Sequence, residues 1–254
     1  MLKTIFMLGS KDLPNEMFKF ERWYLRYHAA EVVFNHKPWL TNFIAYRPLP
    51  VIPEAVPYGY YNMRVIEAWF RSLEERPNGA GMFHFTWQPP WSDKPVEWDK
   101  MEVPRVSINI ETPYPDAFMA GKRSADEKTV LRWYCFHRYP KGVSLQEGED
   151  WFLNVHAKEV LKQPGLAGFV SAPALQIPKG NPLQPGAWVR LSELWYDDFN
   201  GWKKAVIDSP PKYTKPPWAK YDKYPFLEPY VDFASTFLTE RPDIDYLKEA
   251  PAFP

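Results

Sequence analysis

Apolar positions follow two rhythms along the chain, and together they predict four strands and two helices in each half. Short runs rich in β-branched, aromatic and aliphatic residues are typical of strands, while apolar residues three and four apart indicate helices. Ser144, with Glu147 three positions later, predicts a helix N-terminus with a capping box. The predicted strands are Lys3–Leu8, Thr41–Arg47, Met63–Phe70, Arg105–Glu111, Val130–His137, Leu166–Ala172, Trp188–Tyr196 and Tyr230–Leu238. The predicted helices are Pro14–Asn35, a short one at Ser72–Arg76, Ser144–Lys162 and Asp197–Val206.

The elements come in the same order in both halves because the sequence contains a tandem repeat. The segment Glu21–Val32 recurs 128 residues later, at Glu149–Val160, with Trp, Leu, His, Ala, Glu and Val at matching places. Three further matches follow in the same order, at offsets of 126 and 127 residues. They are Arg64–Phe70 with Arg190–Tyr196, the two Pro-Pro-Trp motifs, and Pro115-Asp116 with Pro242-Asp243. We therefore predict two repeats, at residues 1–120 and 128–254.

Each repeat has the pattern of a βαββαβ unit, which forms a four-stranded antiparallel sheet with helices on one face. The other face is apolar, and leaving it in water would expose a large hydrophobic patch. The two copies can cover these faces by packing sheet on sheet. The predicted fold class is α+β: two ferredoxin-like repeats that form an intramolecular dimeric α/β barrel around a cavity.

Charge and composition exclude several classes of protein. The chain has 31 Lys and Arg against 31 Asp and Glu, without the basic surplus that nucleic-acid binders use to neutralise phosphates. No apolar run approaches the ~20 residues of a membrane helix, and the N-terminus lacks the long apolar region of a secretory signal. The single cysteine, Cys135, excludes internal disulfides and a cysteine-rich metal site. We expect a cytoplasmic protein with no membrane or nucleic-acid partner.

Tryptophan and proline are unusually frequent, with 12 and 28 residues, and they mix in two long segments, 77–102 and 208–228. Loops of this length are usually functional or lid-like. Aromatic side chains offer area and stacking to flat ligands. The tryptophans expected to bind such a ligand are Trp87, Trp91, Trp98, Trp202 and Trp218.

The repeated motif resembles that of a known family. A Trp-x-x-x-x-His-Ala-x-Glu-Val segment after the first strand, followed by Glu-x-Trp and an aromatic residue on the third, is similar to the EthD family of dimeric α/β-barrel proteins. The resemblance runs over both halves, so the chain resembles a fused EthD pair. Ala30 and Lys158 depart from the family, which often has proline after His-Ala. Proteins with this barrel include cyclases, isomerases, lyases and haem-handling enzymes, so the fold does not fix the function.

The histidines are the first candidates for chemistry, because their pKa lies near neutral pH. His28 and His156 are the repeated pair, either as general acids and bases or as buried partners of the repeated Glu67 and Glu193. At an offset of 128 residues, His137 stands opposite Gly9, at the end of a strand. The resemblance implies an acid or base facing the cavity at this strand, so His137 is a catalytic candidate, with a surface histidine as the alternative.

Four further candidates either differ between the halves or repeat on the strand face opposite the glutamates. His84 lies among aromatic residues, either as part of a lid or as a packing residue, and Tyr134 could move protons beside His137. Arg64 and Arg190 repeat on the third strand and could hold an anionic group, or they could be surface residues. We expect the active site to be asymmetric and to lie mainly in one half, since proton transfer needs groups in different environments.

The function expected from these features is a cofactor-independent lyase. It would carry out dehydration, decarboxylation, ring opening or cyclisation by proton transfer on a bulky aromatic or polycyclic, anionic small molecule. Gly-rich nucleotide loops, His-Glu-x-x-His and Cys-x-x-Cys are missing from the sequence, so no cofactor or metal is expected. A haem- or hydrophobe-binding protein and a non-catalytic accessory dimer remain alternatives, and the fused pair could associate further as a homodimer.

Overall fold

Each half of the chain forms an antiparallel sheet with helices on one face. The computed structural model describes residues 1–9, 17–36, 38–75, 103–121, 131–176 and 188–248. The strands are β1 Leu2–Gly9, β2 Leu40–Tyr46, β3 Arg64–Phe70, β4 Val103–Glu111, β5 Asp116–Phe118, β6 Leu131–His137, β7 Gly168–Pro173, β8 Arg190–Tyr196, β9 Phe233–Leu238 and β10 Ile244–Asp245. The helices are α1 Met17–Trp23, α2 Ala29–His36, α3 Leu145–Trp151, α4 Ala157–Val160 and α5 Phe199–Lys203.

The two sheets have the same strand order, as the tandem repeat predicts. The first is ordered β2-β3-β1-β4 and the second β7-β8-β6-β9, each completed by one more strand at the β2 or β7 edge. That additional strand comes from the other half: β10 pairs with β2, and β5 pairs with β7. The two halves therefore exchange short C-terminal arms. Strands of two and three residues are too short to show the period-2 pattern that identifies longer ones.

Most predicted elements are confirmed, with a few differences at their ends. Ser144 caps α3, its hydroxyl accepting a hydrogen bond from the Glu147 amide at 3.1 Å. The last long strand begins at Phe233 instead of Tyr230, and residues 73–75 form a turn instead of a helix. The segment 76–102 and the linker region 122–130 lie outside the described residues, so the repeat boundaries stay a prediction.

Both long helices contain a π-helical turn at the repeated motif. Residues Tyr24–His28 and Phe152–His156 form these turns between α1 and α2 and between α3 and α4. A π turn brings residues five apart onto one face, and Trp-x-x-x-x-His has that spacing. His28 accordingly stacks on Trp23, with ring centroids 5.0 Å apart, and His156 lies 4.9 Å from Trp151. The motif thus marks a local helix geometry as well as a family resemblance.

Alternation along the strands divides the interior into three clusters. One cluster lies under the helices of each half, and the third lies between the sheets, where Ile5 and Val65 of the first half meet Phe136 and Leu191 of the second. The halves thus pack sheet on sheet and form an intramolecular dimeric α/β barrel of two ferredoxin-like repeats. No helix among the described residues is long and apolar enough to cross a membrane.

Candidate active site between the sheets

A cavity of about 510 Å³ lies between the two sheets, at the end where β1 and β6 begin. This size is within the range of ordinary small-molecule sites. Both halves line the cavity, and most of its wall is aromatic or aliphatic. The lining residues are Lys3, Ile44, Tyr46, Glu67, Trp69, Thr112, Pro113, Tyr114, Met119, Arg132, Gly168, Phe169, Val170, Glu193 and Trp195.

Four buried charges, two from each sheet, line this cavity and form a closed ring of alternating sign. The ammonium of Lys3 lies 3.0 Å from Glu67 and 3.8 Å from Glu193. The guanidinium of Arg132 lies 3.3 Å from Glu193 and 4.0 Å from Glu67. Each side chain is at most 6% exposed. We call these four residues the charge ring. Mutual pairing compensates the cost of removing each charge from water.

Three tyrosines hydrogen-bond to the charge ring, while Nε of Arg132 has no hydrogen-bond partner among the described residues. Tyr134 donates to Glu67 at 2.9 Å, and Tyr114 donates to Glu193 at 2.8 Å while accepting from Lys3 at 2.6 Å. Arg132 donates to the Tyr46 hydroxyl at 3.2 Å. The hydrogen bonds therefore run without a break from Tyr134 through Glu67, Lys3 and Tyr114 to Glu193, linking the carboxylates of the two halves.

The environment fixes the protonation states of this network. Burial acts to raise the pKa of Glu67, but the charges of Lys3 and Arg132 and the hydrogen bonds from Lys3 and Tyr134 lower it overall. Burial and the nearby carboxylates raise the pKa of Tyr114 and of Tyr134 well above its usual range. Burial and the charge of Glu67 raise the pKa of Tyr46 to about 12. At neutral pH the site thus contains an ionised Glu67 beside protonated phenols.

The four charges of the ring lie at equivalent positions of the two repeats, but the tyrosines that bond to them do not repeat. Lys3 pairs across the sheet with Trp69, and Arg132 pairs with Trp195 in the same register. Each cation also lies over its tryptophan, 5.1 Å from the ring centroid. Tyr134 breaks the symmetry. It faces Glu193 in the register of β6 and β8, whereas the equivalent residue opposite Glu67 is Ile5.

The predicted pairing of the repeated histidines with the repeated glutamates is wrong. Glu67 and Glu193 point between the sheets, whereas His28 and His156 lie in the helices on the outer faces. His156 is enclosed by the rings of Trp151, Phe152 and Tyr224. Burial lowers the pKa of His28 and of His156 to about 3, so both are neutral in the folded protein. The period-2 alternation gave the strand face of the glutamates but not which face looked inward.

His137 also lies on the helix side of its sheet, away from the cavity that the resemblance implied. It is 2% exposed, and its ring lies 5.4 Å from that of Phe152, 5.2 Å from Phe233 and 6.1 Å from His156. Neither ring nitrogen has a hydrogen-bond partner among the described residues. The alternative of a surface histidine is excluded as well. Its counterpart is Leu8 rather than Gly9, because Leu8 pairs with Arg64 as His137 pairs with Arg190.

Arg64 and Arg190 hold the exchanged arms and do not line the cavity. Arg64 donates to Glu21 of its own helix and to Asp243, the residue before β10. Arg190 bonds in the same way to Glu149 and to Asp116 of β5. These are the repeated Pro-Asp aspartates of the sequence. The glutamate face of the third strand forms the cavity wall, so the arginine face is turned toward the helices.

The loop aromatics are only partly described. His84, Trp87, Trp91 and Trp98 lie outside the described residues. Trp218 packs against Trp151 and Tyr139 on the outer side of the second half, and Trp202 is fully buried beside Trp133. Neither Trp202 nor Trp218 lines the cavity. Within the described part of the chain, no group of three or more His, Cys, Asp or Glu is placed to hold a metal.

Four residues line the cavity that were not predicted from the sequence: Lys3, Arg132, Tyr46 and Tyr114. A signal for two of them was present. A single basic residue at the second position of an otherwise apolar first strand occurs in both repeats, and a buried cation requires a buried anion. The two repeated glutamates supply that anion. Tyr114 lies in the irregular segment after β4, where no periodicity applies.

Comparisons with known proteins find one family model and several solved structures that are similar to this chain. The family model described as chalcone isomerase N-terminal domain matches residues 4–88, about a third of the chain. The structure of an anthrone oxidase-like protein covers 94% of this chain and 90% of its own, with 13% identity and a TM-score of 0.50. An EthD-family protein from Bacillus halodurans covers 31% of this chain and 72% of its own, with 20% identity and a TM-score of 0.26. Among curated proteins no sequence matches. The chain is thus similar in fold to the anthrone oxidase-like protein, over nearly the whole length of both.

Proposed function

We propose that the chain is a cofactor-independent enzyme that transfers protons on a bulky aromatic small molecule bound between the two sheets. The observation that carries the proposal is the charge ring on the wall of a cavity that is otherwise lined by aromatic and aliphatic groups. Burial of these charges in a largely apolar wall strengthens their electrostatic effect on a bound molecule. Buried ionisable clusters with shifted pKa values in a cleft are characteristic of active sites.

The members of the charge ring have different roles in the proposed proton transfer. Glu67, which is ionised, accepts a proton from an acidic C–H or O–H group of the ligand. Lys3 and Arg132 stabilise the ligand anion that remains. A protonated phenol or the newly protonated carboxyl then returns a proton at another atom. If the ligand keeps all its atoms, the result is an isomerisation or ring closure; if it expels water or carbon dioxide, the result is a lyase reaction.

The matched family model favours the first outcome, and the two names together indicate the type of ligand. The matched family model belongs to a chalcone isomerase, and the protein of similar fold is named for anthrone, a tricyclic aromatic ketone. Both names refer to multi-ring carbonyl compounds, which suit an aromatic cavity of about 510 Å³. Membership of the EthD family is part of the proposal and rests on the repeated Trp-x-x-x-x-His-Ala motif.

The two alternatives from the sequence fit the cavity less well. A haem iron needs an axial ligand, usually histidine, and no histidine lies on the described wall of the cavity. His28, His137 and His156 are all buried on the helix sides of the sheets. A non-catalytic accessory dimer predicts a filled interior without a pocket of about 300 Å³ or larger. The cavity exceeds that limit.

The experiment that tests the proposal follows proton transfer directly. Anthrone is incubated anaerobically in D₂O with the protein, and NMR records the loss of its acidic methylene protons. Absorbance records the ring closure of 2′-hydroxychalcone in parallel. We expect the wild type to accelerate at least one reaction and Glu67→Gln to lower that rate by about 100-fold or more. His137→Leu should keep the wild-type rate. This variant introduces leucine, the residue type found at the equivalent position of the first half, Leu8. No acceleration of either reaction, or loss in His137→Leu but not in Glu67→Gln, would contradict the proposal.

A further inference from the structure

The charge ring also limits the charge of the ligand. It contains two cations and two anions, so its formal charge is zero, and the described wall of the cavity carries no other charged residue. Both cations are within 4.0 Å of both carboxylates. No net positive charge is left to compensate an ionised ligand in this buried site. The anionic substrate expected from the sequence would meet no unpaired cation on the described wall of the cavity.

The tryptophans of the cavity wall are already in contact with the two cations of the charge ring. Lys3 lies over Trp69, and Arg132 lies over Trp195. Arg132 is in addition close to the rings of Tyr46 and Tyr134, at 4.8 and 5.2 Å. The cations thus satisfy their attraction to negative partners within the protein. The wall left for a ligand consists mainly of apolar groups such as Ile44, Met119 and Phe169.

We infer that the site binds its ligand as an uncharged aromatic acid, a phenol or a carbonyl compound with an acidic C–H, and that the ligand anion forms only after binding. The inference rests on the proposed function and specifies its substrate class. When a neutral ligand loses a proton to Glu67, the ring gains one positive charge and the ligand one negative charge. The total charge of the site stays at zero throughout. A ligand that is already an anion would place an uncompensated charge there at the start.

The test uses 7-hydroxycoumarin, whose phenol and phenolate forms absorb at different wavelengths. Titrating the probe with and without saturating protein gives the pKa of the bound form. We expect binding to raise the pKa of the probe by about one unit or more, which corresponds to about tenfold tighter binding of the phenol. A lowered or unchanged pKa of the bound probe, with binding intact, would overturn the inference and leave the proposed function standing.

Two variants of opposite charge make the test specific to the charge ring. Lys3→Met leaves the ring with a net negative charge, so the pKa of the bound probe should rise further. Glu67→Gln leaves it with a net positive charge, so this pKa should fall below the value in the wild type. Arg132→Met and Glu193→Gln repeat the same changes at the equivalent positions if the first pair does not fold. Shifts of the same sign in both members of a folded pair would contradict the inference.

A different result would contradict the proposed function itself. If 7-hydroxycoumarin, anthrone and 2′-hydroxychalcone all fail to bind to folded wild-type protein at their solubility limits, then the cavity is not a site for aromatic ligands. That result would overturn the proposal and the inference together. Binding of the phenolate in preference to the phenol overturns the inference alone.

Discussion

A buried charge is stable only where opposite charges and hydrogen bonds surround it, and at the residue scale the charge ring meets this condition as a unit. Lys3, Glu67, Arg132 and Glu193 each have two partners of opposite sign within 4.0 Å. Three tyrosines add hydrogen bonds to these charges. Removing one member leaves its partners with an excess charge in a site that water hardly reaches.

We predict strong coupling between Lys3 and Glu67. Each single variant, Lys3→Met or Glu67→Gln, should lower the free energy of unfolding by about 3–5 kcal/mol. The double variant keeps the Arg132–Glu193 pair and a neutral site, so its loss should be smaller than the sum by at least about 1 kcal/mol. Urea denaturation of the four proteins measures this difference. Strictly additive losses would show that the two charges do not depend on each other.

For His137 we predict that substitution does not lower stability. Its two ring nitrogens are buried without partners in the described structure, and each unsatisfied group costs about 1–3 kcal/mol. Leucine occupies the equivalent position of the first half, at Leu8. We expect His137→Leu to unfold with a free energy equal to or above that of the wild type at pH 7.5. A clear loss of stability would indicate a polar partner or a bound water at this site.

The buried histidines also predict how stability depends on pH. The pKa of His28 and of His156 is about 3 in the folded protein, against 6.5 for the free side chain. Below pH 6.5 the unfolded chain binds protons that the folded protein does not, so stability is complete above pH 6.5 and falls as the pH decreases toward 3. Between pH 7 and 4.5 each histidine should remove about 2–3 kcal/mol. Urea midpoints measured across this range, in the wild type and in His137→Leu, check the prediction. Burial also lowers the pKa of His137 well below its usual range, so stability should fall more steeply in the wild type than in His137→Leu. A flat stability profile down to pH 4.5 would contradict the prediction.

At the element scale, the exchanged arms connect the halves in a way that only the structure reveals. β10 joins the first sheet and β5 the second. The aspartate at the start of each arm bonds to the third-strand arginine of the other half, Asp243 to Arg64 and Asp116 to Arg190. Each arginine also holds a helix glutamate of its own half. A single guanidinium thereby joins an arm, a helix and a sheet.

The two arms offer matched variants. Asp243→Asn should increase amide hydrogen exchange in residues 243–248, because the Asp243 and Tyr246 amides bond to Ala45 and Phe43 of β2. Asp116→Asn should have the corresponding effect on residues 116–118 and leave 243–248 unchanged. Mass spectrometry of the exchanged peptides distinguishes the two. Equal protection of both arms in both variants would show that these ion pairs do not hold the arms.

The elements also show how far the sequence predicts this molecule. The eight long strands and both long helices follow from periodicity, and the internal repeat gives the fold class, because a strand of seven residues shows its alternation clearly. The candidate site was predicted only in part. Glu67, Glu193 and Tyr134 were identified, but the glutamates were assigned the wrong partners. Periodicity places residues on one of two faces, and the choice of the inner face depends on how the second sheet packs, which a local pattern does not contain.

At the scale of the whole molecule, some features are repeated in both halves and others occur in one half alone. The charge ring and the arm arginines repeat in both halves, while Tyr134 opposite Ile5 and His137 opposite Leu8 differ. The described cavity draws on both halves instead of lying mainly in one. A site built across two repeats needs each of them in its native position. Ligand binding should therefore require both halves in their native positions, with the space between the sheets unobstructed.

Gly168 allows this central claim to be tested with one measurement. It lies on the cavity wall, and the atoms nearest to a methyl group added there belong to the Trp195 side chain, at 3.7 Å, an ordinary contact. A leucine at this position would extend into the cavity without changing the net charge of the charge ring. The measurement is the affinity for 7-hydroxycoumarin of the wild type, Gly168→Ala and Gly168→Leu, with the free energy of unfolding determined for each. We predict a small change for alanine and a loss of at least about tenfold, or 1.4 kcal/mol, for leucine. Undiminished affinity in a stably folded Gly168→Leu protein would contradict the account, because the ligand would then bind outside the space between the sheets.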